Sequence, residues 1–278
     1  MELKELENIK FSVLMSLYIK DKPLILKEAL DSIINQTIVP SEIVIIEDGP
    51  ISEEVENLLF KYRTNYRDLI KVYAYKENKG LGYALNFGIN KCENEIIARM
   101  DSDDISVTDR FEKELNKLIE DNLDMVGSNC IEFIDSISNV ASNRTMPETN
   151  EEIYKYAKKR NPFIHPSMMF KKSLILKAGN FRSVHLCEDY DMWFRCFLEN
   201  AKCYNIQENL VFMRVSKDFY KRRGGLKYYK SVKSCLKNMK KAKFITTGEY
   251  LKTIIPRFIV YLAPNFIREM FYKKKLRG

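Results

Sequence analysis

The sequence predicts an α/β fold in which helices cover both faces of a mainly parallel β-sheet. Through the first half of the chain, short apolar runs typical of buried strands alternate with amphipathic patterns of about 10–15 residues typical of helices. Parallel neighbours in a sheet need a crossover connection, and such helices supply it. The chain has 278 residues, 45% of them hydrophobic, which is enough to bury a core of this kind.

Four strands are predicted before residue 101, and each is followed by a helical pattern or a polar loop. They cover residues 11–18, 42–47, 70–75 and 95–100. The helices between them are predicted at residues 23–34, 53–66 and 81–90. Pro23 fits the first turn of its helix, because the N–H group that proline lacks would have no partner there.

The second half of the chain is less regular. Further strands are predicted at residues 124–129, 139–146, 167–170 and 211–215, and helices at 151–159 and 187–195. Residues 161–166 are predicted to be a loop, because their two prolines exclude a helix interior. The remaining residues, 216–278, are predicted to form a basic helical extension of a first domain that covers residues 1–215.

Charge is divided unevenly between these two parts. Residues 216–278 contain 18 Lys and Arg but three acidic residues, so they carry +15, while the rest of the chain carries −7. Such a basic segment favours an anionic partner, either nucleic acid or anionic lipid. Residues 250–278 mix apolar, aromatic and basic side chains, which is typical of segments that lie on a membrane surface. The alternative is a helical layer packed on the protein with a solvated charged face.

The sequence also bears on the cellular compartment. Its charged beginning lacks the apolar run of a signal peptide, and no run of about 18 apolar residues occurs. The six cysteines form no CxxC pair and no disulfide-framework spacing, so we expect reduced thiols. A cytoplasmic protein, either free or on the inner face of the plasma membrane, is therefore predicted.

Polar clusters follow the first four predicted strands. They are Tyr18, Glu47-Asp48-Gly49, Asn78-Lys79-Gly80 and Asp101-Ser102-Asp103-Asp104. In open parallel sheets, ligands bind at the carboxyl ends of the strands. The sequence therefore predicts that four separate segments meet at one edge of the sheet and form a binding site.

Three carboxylates within four residues, at positions 101, 103 and 104, form the clearest candidate metal site. Hard oxygen ligands suit Mg²⁺ or Mn²⁺, and a cation would relieve the repulsion between the carboxylates. The alternative is a surface turn whose acidic residues cap a following helix.

Asp48 and the glycine loop after the third strand are candidates for binding a nucleotide. The Asp48 carboxylate could accept a hydrogen bond from an imide N–H such as that of uracil, although Asp-Gly-Pro would serve a simple turn equally well. Lys79 and Gly80 precede a helix N-terminus, which favours anions. The phosphate-binding motif GxxxxGK[ST] and the dinucleotide-binding motif GxGxxG are both absent. The sequence therefore does not favour a kinase or a simple dinucleotide-binding enzyme.

A second acidic cluster begins at Glu188 and Asp189. A carboxylate close to a metal–diphosphate site could accept the proton of an attacking hydroxyl, whereas the alternative role is to cap the helix that follows. The chain has two histidines, of which His165, in the proline-bound loop, is the better candidate for a functional role. With no CxxC pair, a zinc site is not expected.

Taken together, these segments resemble glycosyltransferase family 2, which has the GT-A fold. The likeness is carried by residues 11–18, 43–49, 78–86, 98–106 and 188–195, and it extends over about residues 8–215. Within the family, the chain is similar to bacterial glycosyltransferases of capsule, exopolysaccharide and O-antigen synthesis, including amylovoran-type and β-1,3-galactosyltransferase-like enzymes. The resemblance implies a nucleotide-sugar half at about residues 8–130 and an acceptor half at about 131–215.

The activity implied by the resemblance is an inverting transfer. The donor would be a nucleotide diphosphate sugar, most often a UDP-hexose or its N-acetyl form, and the acceptor a hydroxyl of a glycan or lipid-linked sugar. Mn²⁺ or Mg²⁺ is the implied cofactor, and nucleic acid is not an expected partner.

The resemblance also implies roles for individual residues. Residues implied to bind the nucleotide sugar are Leu17, Tyr18, Asp48, Lys79, Gly80, Asn86, Asp101, Ser102 and Asp103. Of the acidic residues, Asp103 is the implied metal ligand, Asp101 lies nearer the ribose but is also a candidate ligand, and Asp104 is an alternative. Asp189 is the implied catalytic base, with Glu188 beside it and His165 near the acceptor or the diphosphate.

One position departs from the family pattern. Many relatives carry a histidine, able to bind the metal, two residues after the arginine of the last strand, where this chain has Ser216. Water, or Arg222 and Arg223 acting on the diphosphate, could replace that histidine.

Two other functions fit the sequence less well than a transferase. A sugar-nucleotide pyrophosphorylase would carry a glycine-rich loop after its first strand, and this chain has none after residues 11–18. A nucleic-acid-binding module would explain the basic extension but not the acidic residues at the strand ends, which repel phosphate unless a metal is bound.

Overall fold

The computed structural model describes residues 3–216 and 224–263. The strands in this part of the chain are β1 (Phe11–Leu17), β2 (Glu42–Asp48), β3 (Ile70–Tyr75), β4 (Ile96–Arg99), β5 (Ile105–Ser106), β6 (Met125–Ile134), β7 (Ser136–Arg144), β8 (Met169–Lys171) and β9 (Cys203–Arg214). The helices are α1 (Leu3–Glu7), α2 (Pro23–Ile34), α3 (Glu53–Asn65), α4 (Leu81–Lys91), α5 (Arg110–Glu120), α6 (Asn150–Ala157), α7 (Lys172–Lys177), α8 (Glu188–Leu198), α9 (Gly225–Lys241) and α10 (Thr247–Leu262). The strands form one sheet in the order β3-β2-β1-β4-β8-β6-β9-β5, with β7 paired to β6.

The first four strands confirm the predicted parallel sheet. β1 lies between β2 and β4, and β3 continues the sheet beyond β2. Leu17 is level with Glu47, and Asp48 is level with Tyr75. The residues that follow these strands therefore lie along the same edge of the sheet, as the sequence predicts.

The second half of the sheet is mixed. β8 is antiparallel to both of its neighbours, β4 and β6, whereas β6 is parallel to β9 and forms a hairpin with β7. The two-residue strand β5 leads the chain from the acidic loop back to the sheet, where Ile105 pairs with Phe212 of β9. β5 was not predicted, because a two-residue strand is too short to give a pattern, and neither were α1, α5 and α7.

Side chains of the strands alternate between two cores, one on each face. Val44 and Ile97 belong to the core that contains Trp193 of α8, while Ile45 and Ala98 belong to the core under α2, α3 and α5. This alternation places Arg99, the last residue of β4, on the face covered by α4 and α8.

The described part of the basic extension packs on that same face. Val232, Leu236 and Met239 of α9 and Ile254 of α10 are buried in the core that contains Trp193. The ring of Phe244 stacks on that of Phe197, with centroids 5.8 Å apart. Within the described residues, no helix is long and apolar enough to cross a membrane.

Candidate active site

The acidic loop directly after β4 brings three carboxylates together. Oxygen atoms of Asp101, Asp103 and Asp104 lie within 4.8 Å of one another. Burial, and then repulsion from Asp101 and Asp21, raises the pKa of Asp103 to about 7, although its side chain still contacts solvent. Burial and repulsion from Asp103 raise the pKa of Asp104 well above its usual value. The loop therefore concentrates negative charge that its own protein contacts only partly neutralise.

This cluster fits a divalent cation. Its donors are carboxylate oxygens, the ligands that Mg²⁺ and Mn²⁺ prefer. Asp104 accepts a hydrogen bond from the Arg214 backbone N–H with Oδ1 (2.7 Å), but its buried Oδ2 has no partner. An unpaired, buried carboxylate oxygen is costly unless a proton or a cation satisfies it. Asp101, Asp103 and Asp104 would supply the protein ligands.

Two residues outside the acidic cluster hold the loop in place. Arg214, at the end of β9, donates from Nε to the carbonyl of Asp103 (3.0 Å). Asp21 accepts from the Ser102 hydroxyl (2.7 Å) and from the backbone N–H of Tyr18 (2.6 Å). Asp21 thus joins the loop after β1 to the acidic loop, a link that sequence reasoning missed because Asp21 belongs to no recognisable motif.

Asp48 orders the glycine loop. Its Oδ1 accepts hydrogen bonds from the Tyr75 hydroxyl (2.8 Å) and the Lys79 N–H (2.7 Å), and its Oδ2 accepts one from the Gly80 N–H (2.9 Å). Gly49 has φ +79°, and a Cβ there would lie 2.5 Å from the Asn78 nitrogen. Asp48 therefore has a structural role at this position, and its hydrogen bond to a uracil imide stays a prediction.

Aromatic side chains surround this loop. The Tyr75 and Tyr83 rings meet edge to face at 5.2 Å, and Lys79 Nζ lies 4.7 Å from the Tyr83 ring centroid. Tyr18 is exposed, whereas Leu17 is buried in the core. Of the two residues predicted to pack on a nucleotide at the end of β1, Tyr18 is the one whose side chain a ligand can reach.

The acidic pair begins α8. Glu188 is buried, and this burial, followed by repulsion from Asp189, raises its pKa to about 7. Asp189 is half-buried and accepts hydrogen bonds from the Tyr190 N–H (2.7 Å) and from Asn161 Nδ2 (2.6 Å). Sequence reasoning treated Asn161 as part of a loop and missed this contact.

His165 begins a 3₁₀ turn before β8. Its ring lies against the Phe181 and Trp193 rings, with centroids 6.1 and 6.0 Å away, and its buried Nε2 has no partner. Burial and the positive charge of Arg99 hold the pKa of His165 well below its usual value, so the ring is neutral at pH 7.

Arg99 joins the two acidic clusters. It is 1% exposed, and its guanidinium forms an ion pair with Asp101. Its charge opposes the rise in the pKa values of Asp103, Asp104 and Glu188. One buried cation therefore acts on both the acidic loop and the start of α8.

The predicted meeting of segments at one edge of the sheet is therefore seen. Asp48 ends β2 and the acidic loop follows β4, and both strands are parallel partners of β1. Asn86, by contrast, lies in α4 and donates to the carbonyl of Phe181 (2.8 Å), so its side chain ties α4 to the segment before α8. Arg222 and Arg223 lie outside the described residues.

Comparison with known proteins agrees with this geometry. Residues 12–179 match the glycosyl transferase family 2 model. The chain belongs to this family. It is 39% identical, over 96% of its length and 97% of the relative's, to the UDP-Gal:alpha-D-GlcNAc-diphosphoundecaprenol beta-1,3-galactosyltransferase of Escherichia coli. It is 33% identical, over 96% of its length and all of the relative's, to the amylovoran biosynthesis glycosyltransferase AmsE of Erwinia amylovora.

Solved structures of other glycosyltransferases share the fold. S. aureus TarS 1-349 in complex with UDP-GlcNAc has a TM-score of 0.64, with 17% identity over 97% of this chain and 76% of TarS 1-349. The mannosyltransferase PcManGT of Pyrobaculum calidifontis, in complex with GDP-Man and Mn²⁺, has a TM-score of 0.66, with 15% identity over 95% and 73% of the two chains. The family 2 protein is thus a glycosyltransferase with the GT-A fold, as its sequence predicts. These matches support neither a pyrophosphorylase nor a nucleic-acid-binding module.

Proposed function

We propose that this glycosyltransferase moves a hexose, with inversion at the anomeric carbon, from a UDP-sugar to a hydroxyl of a lipid-linked sugar in the synthesis of a bacterial surface polysaccharide. The observation that carries the proposal is the acidic loop after β4, whose three carboxylates have oxygen atoms within 4.8 Å of one another. The charge of the buried Arg99, paired with Asp101, also acts on Glu188, which supports a position of this loop close to the candidate base. The 39% identical relative, whose name gives UDP-Gal and a lipid-linked acceptor, supports the choice of substrates.

The donor would lie along the carboxyl edge of the parallel strands. Asp48, Lys79 and Gly80 would contact the nucleotide, and the exposed Tyr18 would pack on it. Asp101 and Asp103 would hold Mn²⁺ or Mg²⁺, and Asp101 would also lie near the ribose. Ser102 would contact the nucleotide sugar from its position between these two aspartates. When bound, the metal neutralises charge that develops on the departing diphosphate. Arg222 and Arg223 remain candidates for contact with that diphosphate.

The acceptor would react from the opposite side of the donor sugar. Asp189 would accept the proton of the acceptor hydroxyl. The oxygen of that hydroxyl would form a bond to the anomeric carbon while the bond from that carbon to UDP breaks. Glu188 and the neutral His165 would shape the space beside the base. Because the transition state resembles an oxocarbenium ion, positioning and charge stabilisation would supply most of the rate gain.

The experiment is a turnover assay with Mn²⁺ and a panel of nucleotide sugars, run with and without EDTA. We expect UDP release that EDTA abolishes, and we expect Asp103→Ala and Asp189→Asn each to lower kcat about a hundredfold or more. Release of pyrophosphate, or full activity in either variant, would contradict the assigned roles. Glu54→Gln, at an exposed position on α3, is the control for loss of a carboxylate.

We also propose that helices α9 and α10 place the enzyme on the inner face of the plasma membrane. Leu251, Ile255, Phe258, Ile259 and Leu262, at helical spacing along α10, are 44–67% exposed. α9 carries lysines and no acidic residue, and its Tyr229 ring meets the Phe258 ring at 5.2 Å. The basic surface of α9 therefore adjoins the apolar stripe of α10, and each lysine near anionic lipid is worth about 1 kcal/mol.

Vesicle flotation tests this placement. The protein should float with phosphatidylglycerol vesicles, and the double variant Ile255→Glu with Ile259→Glu should not. Phe60→Glu is the matched control, since Phe60 is 71% exposed on the distant helix α3. Equal flotation of all three proteins would reject the membrane surface, as would binding that is no stronger to phosphatidylglycerol than to phosphatidylcholine.

A further inference from the structure

The segment between α6 and β8 supplies a side chain that touches the proposed base. Asn161 donates from Nδ2 to Asp189 Oδ2 at 2.6 Å, and its own Oδ1 accepts a hydrogen bond from the Phe163 N–H at 3.2 Å. The second contact fixes which end of the amide faces Asp189, because a nitrogen there could not accept from the backbone. The amide therefore presents a donor to the carboxylate.

The two oxygens of Asp189 are held from different directions. Tyr190 donates its backbone N–H to Oδ1 within α8, while Asn161 reaches Oδ2 from a loop 28 residues earlier in the chain. The bond to Tyr190 is local to the helix, whereas the bond to Asn161 fixes the carboxylate relative to a segment outside α8.

We propose that Asn161 is a positioning residue for catalysis, which holds the Asp189 carboxylate aimed at the acceptor hydroxyl. The inference rests on the proposed function of Asp189. Asn161 acts through Asp189 and contacts none of the loops assigned to the donor, at residues 18–21, 48–49, 78–80 and 101–104. Its loss should therefore change the rate of the chemical step and leave donor binding unchanged.

The packing around this loop explains why the position is well defined. Tyr190, next to the base, donates its hydroxyl to the carbonyl of Ala157 at the end of α6. Arg257 of α10 donates from Nη2 to the carbonyl of Lys159 (2.6 Å), two residues before Asn161. These two hydrogen bonds hold the backbone that leads to Asn161, so its side chain has a defined position.

The test compares two substitutions at position 161 by steady-state kinetics, with a nucleotide sugar that the unaltered enzyme uses. Loss of a hydrogen bond to a charged group lowers a rate by about tenfold to hundredfold. Asn161→Ala should therefore lower kcat by about that factor and leave the KM for the donor unchanged. Asn161→Asp keeps the acceptor for the Phe163 N–H but replaces the donor with a negative charge, so its kcat should fall further. Asn150→Ala, which loses one amide contact to the Cys203 backbone, is the matched control and should keep the kcat of the unaltered enzyme.

A double-mutant cycle separates this inference from the proposed function. In an Asp189→Asn background, Asn161→Ala should lower kcat less than about twofold, because residues that act as a unit are not additive. Equal losses in both backgrounds would overturn the positioning role, as would a rise in donor KM without loss of kcat. Unchanged kcat in Asp189→Asn alone would instead overturn the base itself.

Discussion

At the scale of single residues, Arg99 determines the charge balance of the site. A fully buried guanidinium is costly unless nearby charges compensate it. Asp101 compensates it in ion-pair contact, and Glu188 at the start of α8 also interacts with its charge. One cation thus allows two acidic groups with different proposed tasks, metal binding and proton transfer, to lie close together.

His165 provides a prediction about acid stability. Its folded pKa is well below that of an unfolded histidine, about 6.5, so below that pH the unfolded chain binds a proton that the folded chain does not. The free energy of unfolding should therefore fall as the pH drops below about 6.5, by about 1 kcal/mol at pH 5.5. Urea unfolding at pH 7.5 and 5.5 should show this loss in the native chain and a loss smaller by that amount in His165→Gln. Equal losses would mean that His165 is protonated in the folded protein at pH 5.5.

Some site residues were predictable one by one and others were not. Asp48 and Asp103 were predicted because a polar residue directly after an apolar strand gives a signal in the sequence. Asp21 and Asn161 gave none, since each acquires its role from a contact with a residue 81 or 28 positions away. Asn86 was predicted from its place in a motif, but its hydrogen bond to the Phe181 carbonyl shows a structural contact.

At the scale of elements, the segment before α8 is fastened to α4. Asn180 donates to the carbonyl of Asn86 (3.2 Å), and Asn86 returns a bond to the carbonyl of Phe181. The backbone of this segment also passes very close to Gly82 of α4. The helix that follows the glycine loop therefore positions the segment that leads into Glu188 and Asp189.

Gly82→Ala tests this close approach. A Cβ at position 82 would lie 2.3 Å from the carbonyl oxygen of Arg182, so backbone must move, at a cost of about 1–3 kcal/mol in the free energy of unfolding. We also expect a lower kcat, because the displaced segment leads into α8. Gly248→Ala is the control. A Cβ added at position 248 would lie 4.0 Å from Thr246 Oγ1, its nearest contact beyond the adjacent residues, and alanine favours a helix. Urea unfolding that ranks the two variants the other way would contradict the contact.

The parallel pairing of the first half of the sheet was predictable, whereas the mixed pairing of the second half was not, although its longer strands were predicted. β1, β2 and β4 are largely buried on both faces and separated by helices, so each leaves a continuous apolar run in the sequence. A strand was predicted at residues 167–170, where β8 lies, but its antiparallel pairing on both sides has no signal in the sequence, and β5, with two residues, has no period. α5 does carry a signal, with Phe111, Leu115 and Leu118 at helical spacing, although no helix was predicted there.

At the scale of the whole molecule, the division at residue 215 does not separate two cores. α9 and α10 were predicted as an extension, yet buried residues of both helices share one core with Trp193 and Phe197 of α8. Phe244, in the turn between α9 and α10, also packs on the Tyr154 ring of α6, with centroids 6.5 Å apart. The apolar stripe proposed to face lipid is thus attached to the same core that supports the start of α8.

A chain that ends at Val215 should therefore be much less stable than the full chain. Fully burying an apolar side chain contributes about 1.5–3 kcal/mol, and Val232, Leu236 and Met239 are all buried against the first domain or α10. A loss of about 5 kcal/mol would lower the melting temperature by about 10–20 °C in a domain of this size, or prevent folding altogether. Calorimetry that compares residues 1–215 with the full chain should show this loss. An unchanged melting temperature for residues 1–215 would mean that the extension is a separable module, and that the apolar stripe of α10 does not depend on the core that supports the start of α8.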